Sequence, residues 1–209
     1  MLHSKVKDTV TYTMPQRTTL PGRTAARTAA IIGATHELLR EVGYEQLSID
    51  AVATRAGASK TTIYRRWADK RALVCAALLD RSVSAPELPS GAHDLREDLM
   101  ALTDLAAALA DQEDVPGFVS LLAAAQKEPA VGEALRNGAL DPMRRNCRDV
   151  VQRAIGRGEL QDAALSDVLF DLVLGQVLAR SVVQGKAFTT DVREHFVDTV
   201  LLHVLTQHA

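Results

Sequence analysis

Apolar side chains recur every three to four residues over most of the chain, which is the period of an amphipathic helix. The first such stripe begins near Gly22–Thr24 and includes Ile31, Ala34 and Leu38. It ends at Gly43, after which Tyr44 can fold back onto it. No strand-like alternation of useful length and no repeat of fixed period interrupts this pattern. The pattern therefore predicts an all-α fold.

Residues 48–66 contain two short predicted helices that are separated by an Ala-Gly turn. Ser48 is a good N-cap for the first of them, and Ser59 is a good N-cap for the second. Gly57 supplies a left-handed residue at the turn. A short amphipathic helix, a tight turn and a second short helix with a polar outer face are typical of a helix-turn-helix.

The remaining chain is predicted to be helical on both sides of one break. Asp69 is a plausible cap for a connecting helix over 70–83, and two prolines and a glycine follow at 84–91. Further helices are predicted near 94–111, 116–127, 129–137, 140–157, 165–184 and 191–207. We therefore divide the chain into a flexible basic tail (1–21), an N-terminal helix-turn-helix DNA-binding domain (22–70) and a C-terminal helical ligand-binding and dimerisation domain (71–209).

The charges divide the chain in a similar way. The net charge of the 209 residues is −2, yet residues 1–70 carry 11 Lys and Arg against 6 Asp and Glu, and the rest carry 13 against 20. A basic first third joined to an acidic remainder indicates two parts with different partners. The two cysteines are far apart, which fits a reducing cytoplasm better than a disulfide framework. Neither a signal peptide nor a membrane span is predicted.

The second short helix carries side chains that suit DNA recognition. Only Ile63 among its residues 59–66 is plainly apolar, and the others are hydroxyls, a phenol and three cations. Cations neutralise phosphates, arginine can form a bidentate contact with guanine, and Thr or Tyr can reach a phosphate oxygen or a thymine methyl. A solvated basic helix is the simpler interpretation of an isolated patch. The neighbouring turn and caps favour DNA binding.

The stretch SIDAVATRAGASKTTIYRRWADKRAL, from Ser48 to Leu73, strongly resembles the DNA-binding domain of the TetR family of transcriptional regulators. The resemblance covers about residues 25–75 and includes the Glu-Val-Gly-Tyr sequence at 41–44. It places Ser48 and Lys70 where the family touches phosphate, and it matches the recognition helix to Ser59, Lys60, Thr61, Thr62, Tyr64, Arg65 and Arg66. Within this set we expect Thr61, Thr62 and Arg65 to read bases, and Tyr64, Arg66 and Lys70 to hold phosphates.

The resemblance also implies a ligand pocket among the middle helices and a dimer interface made by the last two long helices. The apolar stripes of those two helices support the dimer independently, because they can pair with their symmetry mates as a four-helix bundle. The predicted interface residues are Leu169, Leu172, Val173, Gln176, Val177, Arg180, Val197, Val200, Leu201 and Val204. The candidate pocket residues are Met100, Phe118, Leu122, Met143, Cys147 and Phe170. Asp171, Gln176 and Arg180 could contact a ligand or form a polar network across the dimer, and we favour the network.

We expect a cytoplasmic homodimer that binds a palindromic operator on double-stranded DNA, represses transcription and leaves the operator when an unknown small apolar effector binds. No cofactor, metal or membrane partner is predicted. The basic N-terminal segment either reaches the minor groove or phosphates or, as a disordered tail, adds only weak nonspecific attraction. Its cations are Lys5, Lys7, Arg17, Arg23 and Arg27.

Two alternatives remain open at this point. A nonspecific architectural DNA-binding protein should be basic throughout, whereas the last two thirds of this chain are acidic. An all-α enzyme could use Glu194, His195, Asp198 and His203, but their spacing is not that of a zinc site.

Overall fold

The computed structural model describes residues 22–83, 86–90, 93–110 and 115–207, apart from the side chains at 23, 81–83, 109, 110, 115 and 116. Within these ranges every regular element is a helix, which confirms the all-α prediction. The predicted tail, residues 1–21, lies outside the described residues.

The first four helices follow the local signals in the sequence. They are α1 (Arg23–Gln46), α2 (Ile49–Arg55), α3 (Lys60–Tyr64) and α4 (Lys70–Val83). The predicted interruption of α1 is confirmed, because Gly43 has a left-handed φ of +73° inside it. Gly57 has a φ of +58° at the turn after α2. The Asp69 cap of α4 is confirmed as well, since the backbone N–H of Ala72 donates to Asp69 Oδ1 at 2.7 Å.

The later helices continue one another through π-helical turns. The α-helices are α5 (Leu95–Ala110), α6 (Val115–Lys127), α7 (Pro129–Leu135), α8 (Asp141–Arg157), α9 (Leu165–Val177), α10 (Thr190–Phe196) and α11 (Leu202–Thr206). The π turns Arg136–Leu140, Leu178–Val183 and Val197–Leu201 join α7 to α8, extend α9 and join α10 to α11. The predicted helices are thus present, and Pro142 lies in the first turn of α8, where proline fits well.

Two hydrophobic cores fill the described part of the molecule. The first is formed by α1–α4 together with α6 and α7, so the helix-turn-helix helices do not close a core of their own. The second is formed by α5 and α8–α11. The first core therefore contains residues from both of the predicted sequence segments, 22–70 and 71–209.

A buried carboxylate fastens α5 to α8. The side chain of Asp98 is 1% exposed and accepts from Arg153 at 2.9 Å and from Arg157 at 2.8 Å. Arg153 also donates to the backbone oxygen of Pro89 at 2.9 Å, which holds the linker before α5 against α8. The two guanidinium groups supply the hydrogen bonds that a buried carboxylate needs.

Two glycines let the first four helices approach the remaining ones closely. A Cβ at Gly117 would lie 2.5 Å from the backbone oxygen of Leu39 in α1, and a Cβ at Gly138 would lie 2.1 Å from that of Leu78 in α4. Both distances are shorter than any side chain tolerates. The orientation of α1 and α4 relative to α6 and the π turn 136–140 therefore depends on the absence of a side chain at each contact.

Tyr44 fixes the end of α1 to α6. Its backbone N–H donates to Ser120 Oγ at 2.8 Å, and its hydroxyl donates to Glu128 Oε1 at 2.8 Å. Burial, followed by the hydrogen bond to Glu128, raises the pKa of the Tyr44 phenol. The tyrosine that the sequence assigned to the end of the first helix thus also connects the first four helices to α6.

Candidate DNA interface and regulatory cavity

The α3 helix is a short, capped helix that stands on one buried side chain. Ile63 is 0% exposed, and Val52 of α2 is also 0% exposed in the same core. Ser59 Oγ accepts from the backbone N–H of Thr62 at 3.2 Å, and Ser48 Oγ accepts from that of Ala51 at 3.2 Å, so both predicted caps are confirmed. With Ile63 anchored inside, the remaining side chains of α3 are turned outward.

Three side chains dominate the outer face of α3. Thr61 and Arg65 are exposed, and Tyr64 is 51% exposed. Arg65 has no ion pair or side-chain hydrogen bond to any described residue, and its five N–H donors are on an exposed side chain. An unpaired guanidinium beside a hydroxyl and a phenol can contact base edges and phosphates.

Thr62 and three predicted cations of the interface already have partners within the protein. Thr62 Oγ1 lies 2.9 Å from Ser59 Oγ, and Lys60 Nζ pairs with Asp50 Oδ2 at 2.6 Å. Arg66 donates to the backbone oxygen of Thr24 at 3.2 Å. Lys70 donates to the backbone oxygens of Tyr44 and Glu45 and lies 4.6 Å above the centre of the Tyr44 ring. Contact with phosphate would therefore have to share or replace these bonds.

An ion pair that the sequence analysis missed joins α1 to α2. Arg55 donates to both carboxylate oxygens of Glu41, at 2.6 and 2.7 Å. Glu37 lies 3.6 Å from the same guanidinium. The hydrogen bonds from Arg55 lower the pKa of Glu41. Glu37 and Glu41 are four residues apart on one helix face, a spacing that signals a shared cation but does not identify it.

A cavity of about 280 Å³ lies between the first four helices and the helices that follow them. Its wall includes Leu39 of α1, Leu78 of α4, Phe118 of α6, Met143 of α8 and Leu174 of α9. Gly117 and Gly138, the two close-contact glycines, also line it. A molecule in this cavity would therefore touch the helices that position α3 as well as the helices behind them.

The structure places the predicted pocket residues in different environments. Phe118 and Met143 line the cavity, whereas Met100, Leu122, Cys147 and Phe170 are absent from its wall. Cys147 and Phe170 are 0% and 2% exposed in the second core, where burial raises the pKa of the Cys147 thiol to about 12. Met100 and Leu122 pack against the two cores. These four residues therefore lie away from the described wall of this cavity, and their part in ligand binding stays a prediction. Helical spacing shows that a residue faces inward, but not whether it meets a neighbour or a void.

The residues of the predicted dimer interface also lie in different environments. Leu169, Val173, Val197 and Leu201 are each 0% exposed inside the protomer, because they face α5 and α8 in the second core. Val177 lines the cavity. Leu172, Gln176, Arg180 and Val200 instead line a groove between α9 and α10 with their surfaces partly exposed, and Val204 is also partly exposed.

The groove between α9 and α10 also contains charged side chains. Asp171, Arg180, Asp191 and His195 line it, and Arg180 donates to the backbone oxygen of Ala187 at 3.3 Å. Asp171 and Arg180 lie in one groove on the protomer surface, as a polar network across a dimer requires. The network remains a prediction.

Two of the four residues considered for an enzyme have structural partners. Asp198 accepts two hydrogen bonds from Arg96, at 2.7 and 2.9 Å, and these lower the pKa of its carboxyl group. His203 lies 2.9 Å from the side-chain nitrogen of Gln207. Within the described ranges no three His, Cys, Asp or Glu side chains are grouped so that they could hold a metal ion. None of the described helices has the length and apolar character needed to cross a bilayer.

Comparison with protein families and known sequences agrees with this geometry. Residues 31–77 match the family model for bacterial regulatory proteins of the tetR family, and residues 90–200 match that for the tetracyclin repressor-like C-terminal domain. A helix-turn-helix-type transcriptional regulator of Mycobacterium tuberculosis is 34% identical over 191 residues, which cover 91% of this chain and 94% of that protein. The DNA-binding transcriptional repressor TetR of Mycobacteroides abscessus is 34% identical over 66% of this chain and 72% of its own length.

Solved structures share the overall fold at lower sequence identity. GusR of Salmonella enterica has a TM-score of 0.67 at 17% identity, with 89% of this chain and 98% of that chain covered. The transcriptional regulator FadR of Bacillus subtilis, solved in complex with stearoyl-CoA, has a TM-score of 0.62 at 18% identity, with 87% and 98% covered. At these identities the likeness shows a common arrangement of helices.

Proposed function

Because this chain belongs to the TetR family of helix-turn-helix transcriptional regulators, we propose that it represses transcription as a homodimer on a palindromic operator. We further propose that a small, largely apolar molecule releases it from that operator. Family membership makes the protein a DNA-binding regulator and excludes the enzyme alternative. The observation that carries the proposal is the outward face of α3, where Thr61, Tyr64 and Arg65 are exposed while Ile63 is buried in the core.

We assign base reading to Arg65 first. Its guanidinium is exposed and has no protein partner in the described part of the chain, so contact with guanine costs no existing hydrogen bond. Thr61 and Thr62 are the other proposed base readers, with the methyl group of Thr62 as the contact because its hydroxyl is paired with Ser59. Ser48, Ser59, Lys60, Tyr64, Arg66 and Lys70 are proposed to position the helix on the phosphates.

Two recognition helices are proposed to bind successive major grooves through a dimer. One five-residue α3 helix presents few base contacts, so a second half-site is needed for useful affinity. We place the dimer face on the exposed sides of α9 and the α10–α11 segment, where Leu172, Gln176, Val200 and Val204 are partly exposed. The protein that matches over 66% of this chain is named a repressor, which favours repression here.

Effector control is proposed to act through the cavity at the joint between the two parts. Its wall contains Leu39 of α1 and Leu78 of α4, so an enclosed molecule bears directly on the helices that set the spacing of the two α3 helices. We propose that the protein acts in the cytoplasm, where the operator is.

Footprinting of the purified protein on the DNA upstream of its own coding sequence tests the DNA-binding proposal. We expect a discrete palindromic footprint, which Arg65→Ala should weaken strongly. Arg148→Ala, which removes the same charge from an exposed position on α8, should leave it unchanged. Diffuse protection would support the architectural alternative, and no binding even at low salt would overturn the proposal.

A further inference from the structure

The ammonium group of Lys70 is held by the last residues of α1. Its Nζ donates to the backbone oxygens of Tyr44 at 2.9 Å and Glu45 at 3.2 Å, and it lies 4.6 Å above the centre of the Tyr44 ring. An ammonium has three N–H donors, so these two bonds leave one for an oxygen outside the protein. The place of residues 44 and 45 therefore determines where Lys70 presents its charge and its remaining donor.

Residues 44 and 45 are in turn held by side chains from outside the helix-turn-helix. The backbone N–H of Tyr44 donates to Ser120 Oγ of α6 at 2.8 Å, and its hydroxyl donates at 2.8 Å to Glu128 Oε1, directly after α6. Tyr44 is 3% exposed, so both bonds are shielded from water. Lys127 lies 3.6 Å from the Glu45 carboxylate, but both side chains are exposed and this pair contributes little.

The interruption of α1 makes the contact with α6 important for Tyr44. Gly43 has a ψ of 176°, whereas a helical residue has a ψ of about −42°, so the peptide that carries the Tyr44 N–H is turned away from the helix direction. Ser120 accepts this N–H, and a Cβ on residue 43 would lie 2.8 Å from the same Oγ. The end of α1 is thus fastened by a neighbouring helix as well as by its own.

The charge of Glu128 allows its role to be tested by the sign of an effect. A carboxylate repels DNA phosphates, so its removal should by charge alone leave DNA binding unchanged or strengthen it. If Glu128 instead holds Tyr44 beneath Lys70, its removal should weaken DNA binding. Glu128 is the N-cap residue of α7, but its side chain makes no capping hydrogen bond, so substitution removes no cap.

We propose that Glu128 and Ser120 are positioning residues for DNA binding. They act through Tyr44, which holds the Lys70 ammonium at a phosphate. Both belong to residues 90–200, the segment that matches the C-terminal family model, so a DNA contact made by α4 is set from the other part of the chain. Base reading by α3 does not depend on this link. The inference rests on the proposed function in taking Lys70 as a phosphate contact.

Titrations of the full chain with a scrambled DNA duplex at several salt concentrations test the inference, because a phosphate contact needs no operator sequence. Lys70→Ala should reduce the slope of log affinity against log salt by about one per protomer. Glu128→Ala should reduce it in the same direction and weaken binding roughly threefold, as for partial loss of one contact in each protomer. Glu133→Ala removes the same charge from an exposed position on α7 and should not weaken binding.

A double variant separates positioning from general damage to the protein. If Glu128 acts through Lys70, Glu128→Ala should cost no further affinity in the Lys70→Ala background. Glu128→Gln keeps an oxygen acceptor for the Tyr44 hydroxyl and should restore the binding that Glu128→Ala loses. Tyr44→Phe keeps the ring and loses only the hydroxyl, so it should reproduce Glu128→Ala and provides the same test if that variant does not fold. Thermal melting checks the folding of each variant.

The outcomes separate this inference from the proposed function. Unchanged or tighter binding of both Glu128→Ala and Tyr44→Phe would overturn the inference, and so would an additive loss in the double variant. Unchanged binding of Lys70→Ala would overturn it at the phosphate contact itself. A discrete operator footprint of the unaltered protein would survive all of these results. Its absence would overturn the proposed function instead.

Discussion

The helix-turn-helix and the α5–α8 pair hold their charged groups in opposite environments. In the first, the pairs Lys60–Asp50 and Arg55–Glu41 lie on the surface. In the second, Asp98 is almost completely enclosed and accepts from Arg153 and Arg157. An exposed pair contributes about 0–1 kcal/mol and is screened by salt, whereas loss of one partner from a buried pair costs about 3–5 kcal/mol. Charge near α3 is therefore available to DNA, and charge at Asp98 maintains the fold.

The largest expected effect in this comparison is loss of the buried charge. Asp98→Asn should lower the free energy of unfolding by about 3 kcal/mol, because two guanidinium groups lose their carboxylate partner. Asp104→Asn is the matched control, since Asp104 is 57% exposed and accepts from Arg193 at 2.9 Å. It should cost less than about 1 kcal/mol in urea denaturation. Equal costs for the two variants would show that burial of Asp98 contributes nothing.

Two glycine substitutions test the close contact between α4 and the π turn 136–140, one at the contact and one away from it. Gly138→Ala places a Cβ 2.1 Å from the backbone oxygen of Leu78, and no side-chain rotation relieves that contact. We expect a loss of about 1–3 kcal/mol in thermal or urea unfolding, as for other overpacked sites. Gly156→Ala meets nothing within 4 Å in α8 and should be neutral or stabilise by up to about 1 kcal/mol. A neutral Gly138→Ala would contradict the proposed close approach.

The two parts also differ in how much of them the sequence could predict. Around α3, Ser48, Gly57 and Ser59 are local signals whose effect lies within three residues, and each has the role that its residue type predicts. The existence and approximate ends of α5–α11 could be predicted from periodicity, since this depends only on spacing along one helix. The π turn at 136–140 could not, because Gly138 within it packs against the backbone of α4, and spacing along one helix does not encode such a contact.

The cavity wall and the exposed sides of α9 and α10 are harder to predict from the sequence for a physical reason. Leu172 and Leu169 belong to one apolar stripe, but Leu169 is enclosed by α5 and α8 while Leu172 is partly exposed. An apolar stripe shows which side of a helix is buried and not which partner covers it. The polar cavity residues Asn146 and Ser181 carry no distinguishing pattern in the sequence. Their position on the cavity wall is set only where several helices converge.

A smaller effect than unfolding is expected when the DNA-facing charges are removed. Arg65→Ala should cost about 1–3 kcal/mol of operator affinity and relax the preference at one base pair. Lys60→Ala should weaken all DNA sequences to a similar extent and reduce the salt dependence of binding by about one phosphate contact. Titrations of operator and scrambled DNA at several salt concentrations measure both quantities. If Arg65→Ala weakened the binding of every DNA sequence equally, the role of Arg65 would be phosphate binding. As a control, neither variant should change the thermal stability of the protein much.

The smallest effect concerns the exposed pair between α1 and α2. Hydrogen bonds from Arg55 lower the folded-state pKa of Glu41, so the pair stabilises the fold above the unfolded pKa of that carboxyl group. This stabilisation is lost as the pH falls through the lowered folded pKa. An NMR titration of the Glu41 side chain should therefore show a pKa below its ordinary value, and Arg55→Met should return it to that value. Arg71→Met removes a cation that pairs with Asp69 and should leave the Glu41 titration unchanged. If Arg55→Met also left the Glu41 titration unchanged, the Arg55–Glu41 pair would contribute nothing to joining α1 and α2.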